Sequence, residues 1–285
     1  MFTKSPNPVI QNGGFTMHMQ RWITSIVAVP LLIWLILETD PLLFAAFIAL
    51  IYILSLLEYY RMVFPSSEPA PNLLMRIWGS IGGLMLIAAA LTHVLQWVIG
   101  ALALNVIGTG FVAVLVFRYQ NDVVPQAMKQ LAGVLYVGLL LSFLVLLRNH
   151  PQGIHWIFFL LAVVFAGDVG AFYAGTRWGR RKLCPSVSPN KTVEGAAGGL
   201  LANLVAGGIF KILLLPDLAW GAALAGILCI GIAGQAGDLF ESVLKRTAGI
   251  KDSGRLLPGH GGLLDRIDAL LFAAAAAYML QSLAG

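Results

Sequence analysis

The run IHWIFFLLAVVFAGDVGAFYAG, Ile154 to Gly175, decides the fold class. It is apolar nearly throughout, and its one charged residue is Asp168. A helix needs about 20 mainly apolar residues to cross about 30 Å of hydrocarbon, so the run reads as a membrane span. Eight further stretches read the same way: Trp22–Leu37, Leu42–Leu57, Ile77–Leu95, Trp97–Phe117, Gln130–Leu147, Gly195–Leu215, Leu218–Phe240 and Ile267–Leu283. The first two form a tight pair around Glu38, Asp40 and Pro41, and the third and fourth divide only at His93–Gln96. Open strands cannot cross lipid, because their backbone groups would go unpaired there. The expected fold is all-α, a polytopic integral membrane protein of about nine transmembrane helices.

Composition agrees. Of 285 residues, 59% are apolar and 11% charged, against about 25% charged in a soluble globule, and the mean hydropathy is +0.84. These values exclude an ordinary soluble enzyme and a disordered chain. Cys184 lies in a basic polar stretch and Cys229 in an apolar run, so a bridge between them is not expected and a secreted disulfide scaffold is excluded. The net charge of +5 does not point to nucleic acid, because in a membrane protein the placement of basic residues matters more than their total. With the N-terminus in the cytoplasm and nine alternating spans, 16 of the 18 Lys and Arg fall in cytoplasmic segments. Arg148 falls in an outer loop and Lys211 inside the seventh span. The expected orientation is N-terminus inside and C-terminus outside.

Three regions are distinguished. Residues 1–20 read as a polar, flexible tail that need not include the native start, since Met17 and Met19 lie just before the first span. Residues 21–150 read as a transmembrane scaffold, and 151–285 as the catalytic transmembrane half with two basic cytoplasmic loops.

Asp168 lies about fourteen residues into its span, roughly 20 Å from the outer end at 1.5 Å per residue. A bare carboxylate at that depth costs several kcal/mol, so it should face a cation, a wet cavity or the bundle interior; a structural pair with an arginine would also serve. Asp238 closes the glycine-spaced run Gly231-x-x-Gly234-x-x-Gly237. Helix packing explains those glycines but not the aspartate. Asp265 and Asp268 are three apart, so on a helix they share a face. Capping of the helix N-terminus accounts for one of them; two adjacent like charges call for a cation or a shared proton. Four carboxylates from the ends of three spans suggest a metal site, and hard oxygen donors favour magnesium over zinc.

The basic loop Arg177–Lys191 could serve topology or anionic-lipid contact alone. Its continuation, Ser188-Pro189-Asn190-Lys191-Thr192-Val193-Glu194-Gly195, reads instead as a turn placing a lysine, a hydroxyl and a glutamate where a helix begins, which suits phosphate. Beyond Asp238 come Ser242, Lys245, Arg246 and Lys251-Asp252, then Gly254, Leu257-Pro258 and His260-Gly261-Gly262. Glycines around a lone histidine let a ligand approach the backbone, although His260 could equally be a solvated turn residue.

The 27 residues from Ser242-Val243-Leu244-Lys245-Arg246 through Lys251-Asp252, Gly254, His260-Gly261-Gly262-Leu263 and Asp265-Arg266-Ile267-Asp268 resemble the signature of the bacterial-type phosphatidate cytidylyltransferases (CDP-diacylglycerol synthases). Ser188–Gly195 resembles a second family element, with asparagine at position 190 where lysine is common. The resemblance implies that CTP and phosphatidic acid give CDP-diacylglycerol and pyrophosphate in phospholipid biosynthesis. It implies a magnesium ion with a second, monovalent cation, and a homodimer of multi-span subunits in the inner membrane with its site facing the cytoplasm. By position, Asp238 and Asp265 would be the metal ligands, with Asp268 and Asp168 lining the same site. Lys245, Arg246 and Lys251 would neutralise the triphosphate. Lys191 and Arg266 would meet the lipid phosphate or the nucleotide, while Ser188, Thr192 and Ser242 would donate hydrogen bonds. Glu194 and His260 join the substrate-binding set by position alone. Two alternatives stand beside this reading: a CTP-dependent enzyme acting on an isoprenoid or ether lipid, and a cation transporter relaying through Asp168, Asp238 and Asp268. A transporter needs acids spread through the membrane depth, whereas these crowd at one face.

Overall fold

The computed structural model describes residues 29–64, 73–118, 122–254, 256 and 261–284. The tail at 1–20, Met17, Met19, the start of the first expected span, Arg255 and His260 lie outside the described residues.

Ten helical stretches follow in order. A short apolar helix, α1 (Val29–Glu38), precedes α2 (Pro41–Val63), α3 (Leu73–Ala90) and α4 (Leu95–Phe117). Next, α5 (Val123–Gly133) continues through a π-helical turn (Val134–Leu139) into α6 (Leu140–Arg148) as one span. Then come α7 (Gly153–Trp178), α8 (Val193–Leu214), α9 (Trp220–Thr247) and α10 (Leu264–Ala284). Eight of the described helices, with α5 to α6 counted once, are long and apolar enough to cross a membrane. The chain is an all-α polytopic membrane protein, and α1 is the described part of the first expected span, Trp22–Leu37.

Local chemistry sets the boundaries. Asp40 caps α2 by accepting the Leu43 N–H at 2.7 Å, and Pro41 opens the helix where its missing N–H costs nothing. The break between α3 and α4 falls at Leu91–Val94, where His93 takes a left-handed φ of 59°. Several helices outrun the apolar stretches that announce them; α9, for one, continues from Phe240 to Thr247 and so carries Glu241, Ser242, Lys245 and Arg246. Likewise α2 carries Glu58, Tyr59, Tyr60 and Arg61 beyond Leu57, and α5 begins seven residues before Gln130. Between α7 and α8 the basic loop folds into an antiparallel hairpin, β1 (Lys182–Cys184) against β2 (Ser188–Thr192). Lys182 pairs with Thr192 and Cys184 with Ser188 across a bulge. The expected turn at Ser188–Gly195 is thus a strand running straight into α8. Cys184 and Cys229 are free thiols.

The tightest seam joins α7 to α8. A Cβ added at Gly170 would sit 2.4 Å from the Ala202 Cβ, and one at Gly198 would sit 2.2 Å from the Ala174 Cβ. The two backbones approach only because neither position has a side chain, the usual device where lipid supplies no hydrophobic drive. Further along α8, Leu201, Val205 and Ile209 are exposed at a spacing of four, an apolar stripe suited to lipid contact. A second seam joins α9 to α10, where a Cβ at Gly237 would meet the Asp268 carbonyl at 2.5 Å. It also fixes the register of the acidic residues on those two helices.

Gly198→Val should destabilise the detergent-solubilised protein by about 2–3 kcal/mol through overpacking, read as a lower melting temperature. Gly100→Ala, at a helical position where an added Cβ meets nothing within 4 Å, should change stability by less than about 1 kcal/mol.

Candidate active site

Four helix ends and the hairpin converge at one end of the bundle: the C-terminal parts of α7 and α9, the N-termini of α8 and α10, and β2 between them. Most of the candidate residues are placed by one of these; Lys251 follows α9, and His260 lies outside the described residues. The fold threads α8 directly from β2, and Thr192 makes the join. Its Oγ1 accepts the Gly195 N–H at 3.0 Å as the N-cap, which delivers the preceding residue, Lys191, to the side of α9.

Lys191 forms an ion pair with Asp238. Both line a cavity of about 370 Å³ together with Asp168, Asn190, Thr192 and Gln235. The other walls include Phe172, Leu183 and Leu239, so one chamber offers charge on one side and an apolar surface on the other. Asp168 is exposed on this chamber despite its position within a span. It lies within electrostatic reach of both Asp238 and Lys191.

Beside this chamber is a second, denser group that does not line it. Lys245 bridges two acids, forming an ion pair with Glu241 one helical turn back on α9 and bonding the Asp265 Oδ1 at 2.6 Å. The other oxygen of Asp265 accepts three hydrogen bonds, from Ser253 N at 2.9 Å, Ser253 Oγ at 3.0 Å and Gly262 N at 2.9 Å. Asp268 is buried, with its Oδ1 on the Ala269 N–H at 2.7 Å. It is a direct neighbour of Glu241 and lies within electrostatic reach of Asp238. Glu241 is fully buried, and its Oε1 has no hydrogen-bond partner.

The structure therefore brings Asp168, Asp238, Lys191 and Thr192 to one chamber. It brings Asp265, Asp268 and Lys245 to the adjoining group, with Asp268 close to both. The remaining candidates divide. Arg246 donates from Nε to the Val187 carbonyl at 3.1 Å and so braces the hairpin turn. Glu194 accepts from the backbone N–H of Arg180 at 3.0 Å and of Arg181 at 3.1 Å, closing the passage from α7 into β1. Ser188 pairs with Cys184 at the start of β2, Ser242 is buried on α9, and Lys251 and Arg266 are exposed.

A hard divalent cation is the group to test against these donors. They are all carboxylate oxygens, the type such an ion takes. Glu241 and Asp268 are buried side by side, and the Glu241 Oε1 has no N–H or hydroxyl donor. Among the described residues, no group of three or more His, Cys, Asp or Glu side chains stands close enough together to hold a metal. Lysines occupy one side of Asp238 and of Asp265 instead. The donor type fits the ion, but Asp238 and Asp265 stand in separate groups and each is held by a lysine, so their arrangement is not a ready-made site for one.

Three relevant residues escape sequence reading. Glu241 is hidden by its neighbours in the motif, although its one-turn spacing from Lys245 is visible. Glu58 ends an apolar run far upstream; it is buried and accepts hydrogen bonds from Ser253 Oγ, Leu263 N and Leu264 N. Tyr136 lies in the π-helical turn, its buried hydroxyl without a partner and its ring edge-on to Phe240 at 4.9 Å. It is within electrostatic reach of Glu241, Asp268 and Asp238. Nothing local in the sequence marks Tyr136, since a π-turn gives no periodic signal.

A family model described as the Cytidylyltransferase family matches residues 19–284. The chain belongs to that family. Among its relatives is the phosphatidate cytidylyltransferase of Bacillus subtilis, 43% identical over 150 residues, which covers 52% of this chain and 56% of the relative. The enzyme of that name from Brucella suis is 45% identical over 153 residues, 53% of this chain and 56% of the relative. The one from Staphylococcus saprophyticus is 43% identical over 142 residues, 50% and 54% respectively. The chain thus spans about half the length of the curated relatives it matches. Membership in the cytidylyltransferase family gives the acidic and basic groups at this end of the bundle a common context.

Glu194→Ala should loosen the hairpin without unfolding the helices. Trypsin should cut at Arg180–Lys182 faster than in the unaltered protein, while the melting temperature stays close to it.

Proposed function

We propose that the chain transfers the cytidylyl group of CTP to phosphatidic acid, giving CDP-diacylglycerol and pyrophosphate. The observation that carries this reading is the chamber at the end of the bundle, where Lys191, Asp238 and Asp168 face Phe172, Leu183 and Leu239. A substrate with a phosphate head and acyl chains matches both walls. The relatives named phosphatidate cytidylyltransferase support it from an independent direction.

In this reaction a phosphate oxygen of the lipid forms a bond to the α-phosphorus of CTP. The bond from that phosphorus to the β-phosphate oxygen breaks, and pyrophosphate leaves with its electron pair. The nucleophile is already anionic, so no serine or cysteine need be activated. The barrier lies in bringing two anions together, which positioning and charge neutralisation reduce. Lys191 would meet the lipid phosphate beside Asp168. Lys245, with Arg246 and Lys251 nearby, would offset the triphosphate charge as it passes to the leaving group. Asp238 and Asp265 would hold magnesium, with Asp268 and Asp168 close by; bound there, magnesium would withdraw charge from the nucleotide phosphates. A monovalent second cation, a homodimeric assembly and an inner-membrane setting with this end toward the cytoplasm complete the proposal. The last rests on the crowding of lysine and arginine into the segments at this end.

The test is turnover by the purified full chain in mixed micelles of detergent and phosphatidic acid with radiolabelled CTP. CDP-diacylglycerol should form with magnesium and fail to form when the ion is chelated, and an isoprenoid alcohol should not replace the phospholipid acceptor. Asp265→Asn should lower turnover at least about 100-fold in protein that still elutes as one folded species. Near-normal turnover by that variant would remove Asp265 from the chemistry, and a product formed only with another acceptor would overturn the choice of substrate.

A further inference from the structure

Glu58 stands on α2, 195 residues before Ser253 in sequence, yet it is built into the loop that carries the signature residues. The carboxylate is 3% exposed. Its Oε1 accepts the Leu263 N–H at 3.1 Å, and its Oε2 accepts the Leu264 N–H at 2.8 Å. Those amides open α10, where the first N–H groups have no partner within the helix and the dipole favours a negative charge. Oε2 also accepts from Ser253 Oγ at 3.1 Å, and the same hydroxyl lies 3.0 Å from the Asp265 Oδ2. A hydroxyl has one proton, so Ser253 ties two carboxylates from opposite ends of the chain through a single shared donor.

The loop is shaped to admit this carboxylate. A Cβ added at Gly254 would sit 2.1 Å from the Glu58 Oε1. One at Gly262 would sit 2.0 Å from Ser253 Oγ and 2.8 Å from the Glu58 Oε2. Two of the loop glycines that seem, from sequence, to make room for a ligand instead make room for a side chain of the protein. Around them, Asp265 depends on Ser253 and Gly262 for every contact of its Oδ2, and its Oδ1 points to Lys245. Moving Ser253 or Gly262 would therefore turn the Asp265 carboxylate away from Lys245.

We propose that Glu58 is a positioning residue for the reaction. It clamps Ser253, Leu263 and Leu264 together at the N-terminus of α10 and, through Ser253, aims Asp265. The clamp itself stands on geometry alone; its link to turnover rests on the cytidylyl-transfer reading above. The N-terminal half thus supplies part of the working geometry, although it holds none of the groups assigned to substrate.

The experiment uses the full chain in detergent, with Glu58→Ala, Glu58→Gln and Ser253→Ala. Hydrogen–deuterium exchange should rise at Leu263 and Leu264 in Glu58→Ala, while peptides from α7 and α8 keep their protection. In the same protein kcat should fall about 100-fold, the scale of a misplaced reacting group, with KM for CTP little changed. Glu58→Gln keeps one acceptor oxygen in the same shape, and should recover part of both effects and supply the reading if the alanine variant fails to fold. Ser253→Ala should lower kcat while leaving Leu263 and Leu264 protected, since Glu58 still holds those amides. Unchanged exchange at Leu263 and Leu264 in both Glu58 variants would overturn the clamp. Raised exchange with unchanged kcat would overturn its role in turnover. If the unaltered chain makes no CDP-lipid, the cytidylyl-transfer reading falls, and the exchange result still decides whether Glu58 holds the loop.

Discussion

A carboxylate carried to the edge of a hydrocarbon layer has to be met by a cation, by N–H groups or by water, because the surrounding apolar medium cannot solvate it. At this end of the bundle the demand arises six times within a small volume, at Asp168, Asp238, Glu241, Asp265, Asp268 and Glu58. The partners come from elements distant in sequence. Lys191 arrives on a strand, Lys245 lies along α9, and the amides of Ser253, Gly262, Leu263 and Leu264 come from the segment before α10. Meeting the charges and assembling the fold are here one process. The ion pairs bind β2 to α9 and α9 to α10, and the amide contacts bind α2 to the start of α10.

The accounting is nearly complete, and the shortfall is informative. Asp238 has its lysine, while Asp265 has a lysine on one oxygen and three donors on the other. Glu241 has Lys245 on one oxygen and nothing on the other, with Asp268 as its buried neighbour. Two buried carboxyls therefore stand side by side between α9 and α10, next to the chamber that Lys191 shares with Asp168. The glycine at position 237 lets this happen by bringing the backbone of Asp268 against α9. A bulkier residue would separate the two helices and part the two carboxyls.

Much of this was legible in the sequence, for reasons that differ by element. The spans declared themselves because twenty apolar residues in a row have few other uses, and Glu38, Asp40 and Pro41 marked the tight junction between the first two. Asp168, Asp238, Asp265 and Asp268 stood out because a charge inside an apolar run is costly. The extension of α2 past Leu57 was less visible: Glu58-Tyr59-Tyr60-Arg61 is polar enough to look like a loop, and only its burial against distant partners explains a helix there. Glu58 itself was illegible, since its partners lie some two hundred residues downstream and are mostly backbone amides, which leave no side-chain signature. The hairpin was also missed. The run from Ser188 to Thr192 carries a proline and an asparagine, weak strand formers, and it is held in place by Glu194 and Arg246 from outside the strands. For Lys191 and Thr192 the local reading gave their place, a helix start beside a lysine, whereas the pairing of Lys191 with Asp238 joins residues 47 apart and left no local signal.

The seam between α7 and α8 has a consequence for how such a chamber can change over generations or at the bench. At Gly170 and Gly198 even one additional methyl group collides with the facing helix, so the spacing of α7 and α8 cannot be adjusted by substitution there. Phe172, Leu183 and Leu239 line the chamber outside that seam, so its apolar surface can be reshaped at those positions without prising the two helices apart.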